Sequence, residues 1–327
     1  MTDILPSKGE KEVRIAYLVL CHDEPELLKR LARALAYKDD KLFVHVDKKS
    51  DINPFIEAVQ GLRNVVFLQQ RESVYWGGFN SITATMALVS AALRDNVTYD
   101  RMVLLQGKDY PLRSPEYIHD FFKKRKEEEF CKAKNITKSK DPRDYMKCCG
   151  WWNLDRKPNL WQKSVNRFFS FLNTKLRVKY RKGYFSPGGG YEKWDIYKGW
   201  AQVAVTRECA VYILKIYEEM PKYNRYMRHR FPPDEIYIHT IIYNSSFRKQ
   251  ITDYSLVPRK NAEWFSEQLN VTYFEYPKNV TIFKRAADYK ELLETNGLFF
   301  RKATYAESTE LLDEIDKFIK QGKNYAE

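Results

Sequence analysis

No G-x-G-x-x-G follows the first candidate strand of this 327-residue chain, and no G-x-x-x-x-G-K-[ST] occurs anywhere in it. Their absence disfavours a dinucleotide-dependent enzyme and a P-loop phosphotransferase. No stretch approaches the ~20 apolar residues of a membrane span. Residues 1–13 are polar, and the apolar run at residues 15–20 is too short for a secretory signal. The chain therefore reads as cytoplasmic, or as the soluble part of something longer. Cysteine is scarce: Cys21, Cys131, Cys148, Cys149 and Cys209 are an odd number without framework spacing, consistent with reduced thiols. Cys148-Cys149 has no second pair or nearby histidine to complete a ligand set, so zinc is not expected. Internal repeats and low-complexity tracts are absent.

Positive charge and aromatic rings, by contrast, are abundant. Lys and Arg number 56 against 43 Asp and Glu, a net charge of +13 that favours an anionic partner. Nucleic acid, an anionic membrane surface and a phosphorylated small molecule all qualify. The 23 Tyr, 19 Phe and 7 Trp suit flat ligands such as bases and sugars, although most rings of this number must be core. A chain of this length, 44% hydrophobic, can bury one large core or two intimately packed ones.

The first half reads as strand, helix, strand, helix. Residues 14–21 (RIAYLVLC), 41–47 (KLFVHVD), 64–68 (NVVFL) and 101–106 (RMVLLQ) are apolar strand candidates. Residues 25–36, 55–62 and 81–93 carry helical periodicity between them. This alternation predicts an α/β fold with a mostly parallel sheet covered by helices. Such sheets bind ligands beyond the carboxyl ends of their strands. The polar residues there are His22 and Asp23, Asp47, Arg71 and Glu72, and Lys108 with Asp109. Each alone can be loop chemistry or helix capping, while four polar strand ends together favour a nucleotide-sized site. Residues 75–79 (YWGGF) are either the wall of a sugar pocket or a loop plug with permissive glycines.

In the second half, residues 156–182 hold nine Lys or Arg and no Asp or Glu, interleaved with apolar residues at helical spacing. Such a segment lies against an anionic leaflet or covers a domain while facing an anionic substrate. Its rings are spaced as a packing face, which disfavours single-stranded nucleic acid. Residues 200–206 (WAQVAVT) predict a strand and residues 209–220 a helix. A stiff Pro232-Pro233 turn then precedes Asp234 and Glu235 and opens a helical run through residue 244. Asp234 is a natural N-cap. Glu235, in the first turn of a mostly apolar helix, is either a surface group or a general base held by rigid backbone. Arg301 and Lys302 follow the apolar run at residues 298–300. They are solubilising charges, or, turned inward, a neutraliser of diphosphate without metal.

Several segments together resemble the core-2/I-branching β-1,6-N-acetylglucosaminyltransferase family, which includes the peptide O-xylosyltransferases, and especially its shorter bacterial members. They are residues 16–22 (AYLVLCH), 43–50 (FVHVDKKS), 71–79 (RESVYWGGF), 105–112 (LQGKDYPL), 233–235 (PDE) and 298–302 (LFFRK), in the family's order and across most of the chain. The resemblance implies an inverting, UDP-sugar-dependent transferase with an A-type glycosyltransferase fold, a mostly parallel Rossmann-like sheet, and no metal-binding Asp-X-Asp. Here the corresponding stretch, Gly107-Lys108-Asp109, has a single carboxylate. By the same resemblance Glu235 is the catalytic base and Asp109 lies near the donor sugar. Arg301 and Lys302 hold the diphosphate, with Lys278 as the upstream phosphate contact. Asp47 contacts the uridine beside the backbone of Leu20 to His22, with Arg71 at the neighbouring strand end.

The implied organisation is one glycosyltransferase domain over residues 1–327. Residues 12–125 form its nucleotide-binding half and residues 126–327 its acceptor-binding and catalytic half, with a basic aromatic insertion around 150–190. The expected donor is UDP-GlcNAc, with UDP-xylose or another UDP-sugar as the alternative and no divalent metal cofactor. The expected acceptor is a glycan or lipid-linked saccharide, as in surface polysaccharide assembly at the inner face of an anionic membrane, and nucleic acid is not an expected partner. A rival reading is a non-catalytic binding protein for anionic surfaces. The chain departs from the family in Ala303-Thr304 after the basic pair, and in residues 273–276 (YFEY) where a tryptophan-containing acceptor segment is usual.

Overall fold

The computed structural model describes residues 12–139, 155–156, 159, 161, 164, 184–187, 193–256, 267, 269–275 and 282–320. Strands β1 (Ile15–Cys21), β2 (Lys41–Val46), β3 (Val65–Phe67) and β4 (Arg101–Gln106) pair in parallel in the order β4-β1-β2-β3. Helices α1 (Pro25–Ala34), α2 (Asn53–Ala58) and α3 (Asn80–Arg94) make the crossovers. α1 starts where Pro25 presets φ, and it buries Leu27, Leu28, Leu31 and Ala32 at helical spacing. This is the expected α/β architecture with a mainly parallel, Rossmann-like sheet.

Beyond β4 come β5 (Asp109–Pro111), α4 (Pro115–Lys124), β6 (Ala133–Asn135), β7 (Tyr184–Phe185), β8 (Trp194–Asp195) and β9 (Tyr197–Gly199). β10 (Ala204–Thr206) then joins the main sheet antiparallel to β4. Helices α5 (Arg207–Glu219) and α6 (Pro221–Met227) lead to a 3-10 turn over Pro233–Glu235 and to α7 (Tyr237–Tyr243). The described chain closes with β11 (Thr272–Tyr273), α8 (Asp288–Glu294), β12 (Phe299–Arg301) and α9 (Tyr305–Lys320).

Alternate residues of the buried strands feed two cores, as the period of two requires. Tyr17, Val19, Val44 and Leu105 pack with Leu28 and Leu31 of α1 and with Leu311, Leu312 and Ile315 of α9. Ala16, Leu18, Phe43 and Leu104 face the other way, onto Ile82 and Met86 of α3 and Ile238 and Ile241 of α7. The C-terminal helix and α7 thus cover opposite faces of one sheet.

Three local expectations need correction. The strand expected over residues 200–206 is only Ala204–Thr206, because the preceding residues leave β4 and continue back to the separate strand β9. The run after Pro232-Pro233 is not one helix. A 3-10 turn closes first and the α-helix begins at Tyr237, since prolines without N–H groups favour the tighter turn. Asp234 makes no side-chain cap bond there. The helical pattern of residues 156–182 lies, apart from residues 156, 159, 161 and 164, outside the described residues, as does the loop at 188–192.

Candidate functional site

The carboxyl ends of β1, β2 and β4 meet at one edge. The Asp47 N–H donates to the Cys21 carbonyl at 2.8 Å, and the Gly107 N–H donates to the Leu20 carbonyl at 2.8 Å. Gly107 is required at this junction, because a Cβ on it would lie 2.6 Å from the Cys21 Cβ. The His22 carbonyl accepts from Ser50 Oγ at 2.6 Å, while the His22 imidazole projects outward and is 68% exposed. The Asp47 carboxylate is buried and accepts from the Lys49 N–H at 2.9 Å and from Lys49 Nζ at 2.5 Å. Arg71 braces the same loop by donating to the carbonyls of Asp47 (3.3 Å) and Ser50 (3.0 Å). Leu20, His22, Asp47 and Arg71 therefore share one edge, Leu20 and His22 chiefly through backbone.

Next to this edge the three-stranded sheet β11-β12-β5 sets Arg301 directly opposite Asp109. Asp109 is fully buried. Its Oδ1 accepts from Arg301 at 2.7 Å and its Oδ2 from the Gln106 N–H at 2.8 Å. Burial pushes its pKa up, with the Arg301 charge as the largest opposing influence. With both oxygens engaged, Asp109 orients Arg301 and offers no open face to a sugar. Lys302 follows, and Lys108 comes alongside: the Ala303 N–H donates to the Lys108 carbonyl at 2.9 Å, and Lys108 Nζ pairs with Asp23 Oδ2 at 2.6 Å. Burial depresses the Lys302 pKa, and the neighbouring Lys108 and Arg301 charges depress it further. Three cations are thus crowded at the end of β4. A bound diphosphate would relieve their mutual repulsion.

Glu235 ends the 3-10 turn, and its Oε2 lies 3.1 Å from Lys198 Nζ; the two side chains are 22% and 30% exposed. Beside it, Asp234 Oδ1 is sealed from solvent with no hydrogen-bond partner among the described residues. Burial raises the Asp234 pKa, while backbone N–H groups and the charges of Lys198 and Arg301 oppose the rise. Arg301, and with it the end of the cation cluster, is thus within electrostatic reach of the Asp234–Glu235 turn. His239, one turn into α7, is fully buried with neither ring nitrogen bonded among the described residues, and its pKa is lowered to about 3 by burial.

An aromatic wall completes the described site. Trp76, 85% exposed, packs edge-on against Phe231 with ring centroids 4.7 Å apart. Phe79 behind it meets Tyr237 at 5.7 Å and carries the Arg228 guanidinium over its face at 4.8 Å. Among the described residues no cluster of three or more His, Cys, Asp or Glu side chains is disposed to hold a metal ion. Lys278 lies outside the described residues. Sequence reasoning left Lys198 unmarked: it is one of 56 basic residues, and only the packing of β9 against α7 brings it to Glu235. Lys108 was visible as a strand-end residue, but nothing local pointed to its place beside Lys302.

Comparison with known proteins adds to this geometry. The family model described as Core-2/I-Branching enzyme matches residues 15–281. Human Xylosyltransferase 2 is 30% identical over 129 residues, 37% of this chain and 14% of the relative. Xylosyltransferase 2 of Rattus norvegicus is 25% identical over 251 residues, 75% of this chain and 26% of the relative. The human N-acetyllactosaminide beta-1,6-N-acetylglucosaminyl-transferase is 26% identical over 213 residues, 64% of this chain and 48% of the relative. The alignments span less than half the length of each of these relatives.

Proposed function

The chain belongs to the Core-2/I-Branching enzyme family, and from that premise we propose that it is an inverting, metal-independent glycosyltransferase. It transfers N-acetylglucosamine from UDP-GlcNAc to a sugar hydroxyl, in β-1,6 linkage, in the synthesis of a glycan or surface polysaccharide. The observation that carries this reading is a carboxylate turn, Asp234–Glu235, paired with Lys198 at 3.1 Å and within the field of Arg301, which Asp109 holds next to Lys302 and Lys108 at the carboxyl edge of the sheet.

The chemistry follows from that arrangement. UDP lies at the edge formed by Leu20 to His22 and Asp47, with its diphosphate against Arg301 and Lys302. Glu235 takes the proton of the acceptor hydroxyl as its oxygen bonds to the anomeric carbon. The bond from that carbon to the diphosphate breaks, and its electron pair leaves with UDP. The protein cations stabilise the growing charge, a task a divalent metal performs elsewhere. Attack opposite the leaving group, with no covalent intermediate, inverts the anomeric centre. The exposed Trp76 ring, held edge-on against Phe231, offers a flat face for the acceptor ring. The net charge of +13 supports an anionic partner, such as a lipid-linked saccharide at a membrane surface.

The test is Glu235→Gln. It should keep UDP binding within about twofold and lower turnover of UDP-sugar by ~10²-fold or more, with activity of the parent chain undiminished in excess EDTA. Near-parental turnover in that variant removes Glu235 from the role, and complete, metal-reversible loss in EDTA removes the metal-free scheme. A second donor reading, UDP-xylose, is favoured by the xylosyltransferase names of several relatives. Competition among UDP-GlcNAc, UDP-xylose, UDP-galactose and UDP-glucose decides it.

A further inference from the structure

We propose that Lys198 is the positioning residue for Glu235: its ammonium fixes the carboxylate in the site and keeps it ionised, so that it can accept a proton. This inference rests on the base assignment made above and extends it to a residue 37 positions earlier in the chain. The pair is 3.1 Å long and its two side chains are 30% and 22% exposed, so solvent screens it only in part.

Its geometry is imposed by backbone rather than by chance contact of two long side chains. The helix that follows Glu235, α7, grips the strand that carries Lys198, β9. The Tyr197 N–H donates to Thr240 Oγ1 at 3.1 Å, and the Thr240 hydroxyl is 3.3 Å from the Tyr197 carbonyl. One turn on, Asn244 Oδ1 accepts from the Asp195 N–H at 3.2 Å while Asn244 Nδ2 donates to the Asp195 carbonyl at 2.8 Å. The Tyr197 and Tyr243 rings stack with centroids 4.2 Å apart. On the other side of Lys198, Gly199 lies against His239 so closely that a Cβ there would stand 2.4 Å from the imidazole Nε2. Residues on both sides of Lys198 are therefore locked to the helix that begins just after Glu235.

The electrostatic consequence has a definite sign. An opposite charge at this distance favours the ionised carboxylate. Among the described residues the charges around the turn include Asp234 beside Glu235, which disfavours a second negative charge, and Arg301 of β12, whose field reaches Asp234. His239 of α7 stays neutral through the working range because burial lowers its pKa to about 3. Removing Lys198 takes a cation 3.1 Å from Glu235 away from the two adjacent carboxylates. The Glu235 midpoint should then rise, and the base should become protonated at a pH where the parent is active.

The experiment compares the parent chain with Lys198→Met, Lys198→Arg and Glu235→Gln. Carboxyl-13C-glutamate NMR follows the Glu235 titration, the resonance being the one lost in Glu235→Gln. The expected midpoint is about one pH unit higher in Lys198→Met and close to parental in Lys198→Arg. Equal midpoints in the parent and Lys198→Met, or equal displacement in both lysine variants, overturn the inference. UDP binding by calorimetry should stay within about twofold in Lys198→Met, and a large loss there would also overturn it by placing Lys198 on the donor. UDP-sugar hydrolysis by Glu235→Gln is read separately. If it runs at the parental rate the base assignment fails, whatever the NMR midpoints show about Lys198.

Discussion

His239 gives the sharpest physical test of this architecture. It is fully buried, neither ring nitrogen has a partner among the described residues, and burial lowers its pKa to about 3 against an ordinary value of 6.5. In the unfolded chain the imidazole takes up a proton below pH 6.5, whereas in the folded chain it stays neutral until about pH 3. Folding stability is therefore lost as pH falls through that window, at about 1.4 kcal/mol per unit. Between pH 8 and pH 4.5 the loss from this one residue is about 2.7 kcal/mol, a sizeable share of the ~5–15 kcal/mol typical of a whole domain. For a chain of this length it corresponds to about 4 °C in melting temperature. His239→Leu keeps most of the volume, cannot titrate, and breaks no imidazole hydrogen bond among the described residues. Any packing offset of the substitution is the same at both pH values, so it cancels when each protein is compared with itself. Urea unfolding of both chains at pH 8 and pH 4.5 should show the parent losing about 2.7 kcal/mol more than the variant. A difference below about 0.5 kcal/mol would mean that the imidazole finds a partner and is not a neutral buried ring.

The Asp109–Arg301 pair and the cation cluster make further predictions of opposite kinds. Asp109→Asn removes the anionic partner of Arg301, which is only 19% exposed. It should destabilise the chain by about 3 kcal/mol in urea unfolding, and a cost under about 1 kcal/mol would show the pair to be dispensable. Lys108→Ala should weaken UDP binding roughly three- to tenfold, with a shallower salt dependence in calorimetry, because one cation of the trio is gone. Asp23→Asn should act in the other direction and tighten UDP binding by roughly two- to threefold, since Lys108 loses the carboxylate that competes with phosphate at 2.6 Å. Matching signs for those two substitutions would separate Lys108 from the diphosphate.

What was legible in the sequence is what depends on neighbours along the chain. Residues 15–21 are apolar on both faces because both faces are covered, so the parallel sheet could be read from strand composition and spacing. The Ser114 and Thr206 hydroxyls accept from the N–H groups of Tyr117 and Cys209 and cap α4 and α5, and the helix expected over residues 209–220 starts two residues earlier, at Arg207. His22, Asp47 and Arg71 at the carboxyl edge followed from the same pattern, while Leu20 came only from the family resemblance. The parts that were not legible depend on distant pairings. Lys198 meets Glu235 only because Thr240 and Asn244 grip β9. Asp109 carries no local sign that both of its oxygens will be engaged, and the partner that engages one of them is 192 residues away. Asp234 reads as a helix cap by residue type, yet the two prolines before it close a 3-10 turn that leaves Oδ1 unbonded among the described residues.

One short stretch, residues 198–206, connects the two halves of the proposed reaction. At one end, β10 is pinned to β4 by the register Ala204 to Val103 and by the Leu104 N–H donating to the Val203 carbonyl at 2.8 Å. In its middle, buried Gln202 favours the ionised form of Asp109, the residue that orients Arg301. At the other end, Lys198 reaches Glu235. The spacing between the proton acceptor and the leaving-group cations is therefore set by the path of nine residues whose ends are clamped to α7 and to the sheet. The β10 clamp is backbone to backbone, and the α7 clamp joins the Thr240 and Asn244 side chains to the backbone of Tyr197 and Asp195. Both are internal to the fold, so this spacing is built before a substrate arrives, which is the condition under which charged groups contribute most to a transition state. A substitution that shifts this stretch should lower turnover even where Glu235, Arg301 and Lys302 are all intact, because the base and the cations would no longer face the same anomeric carbon.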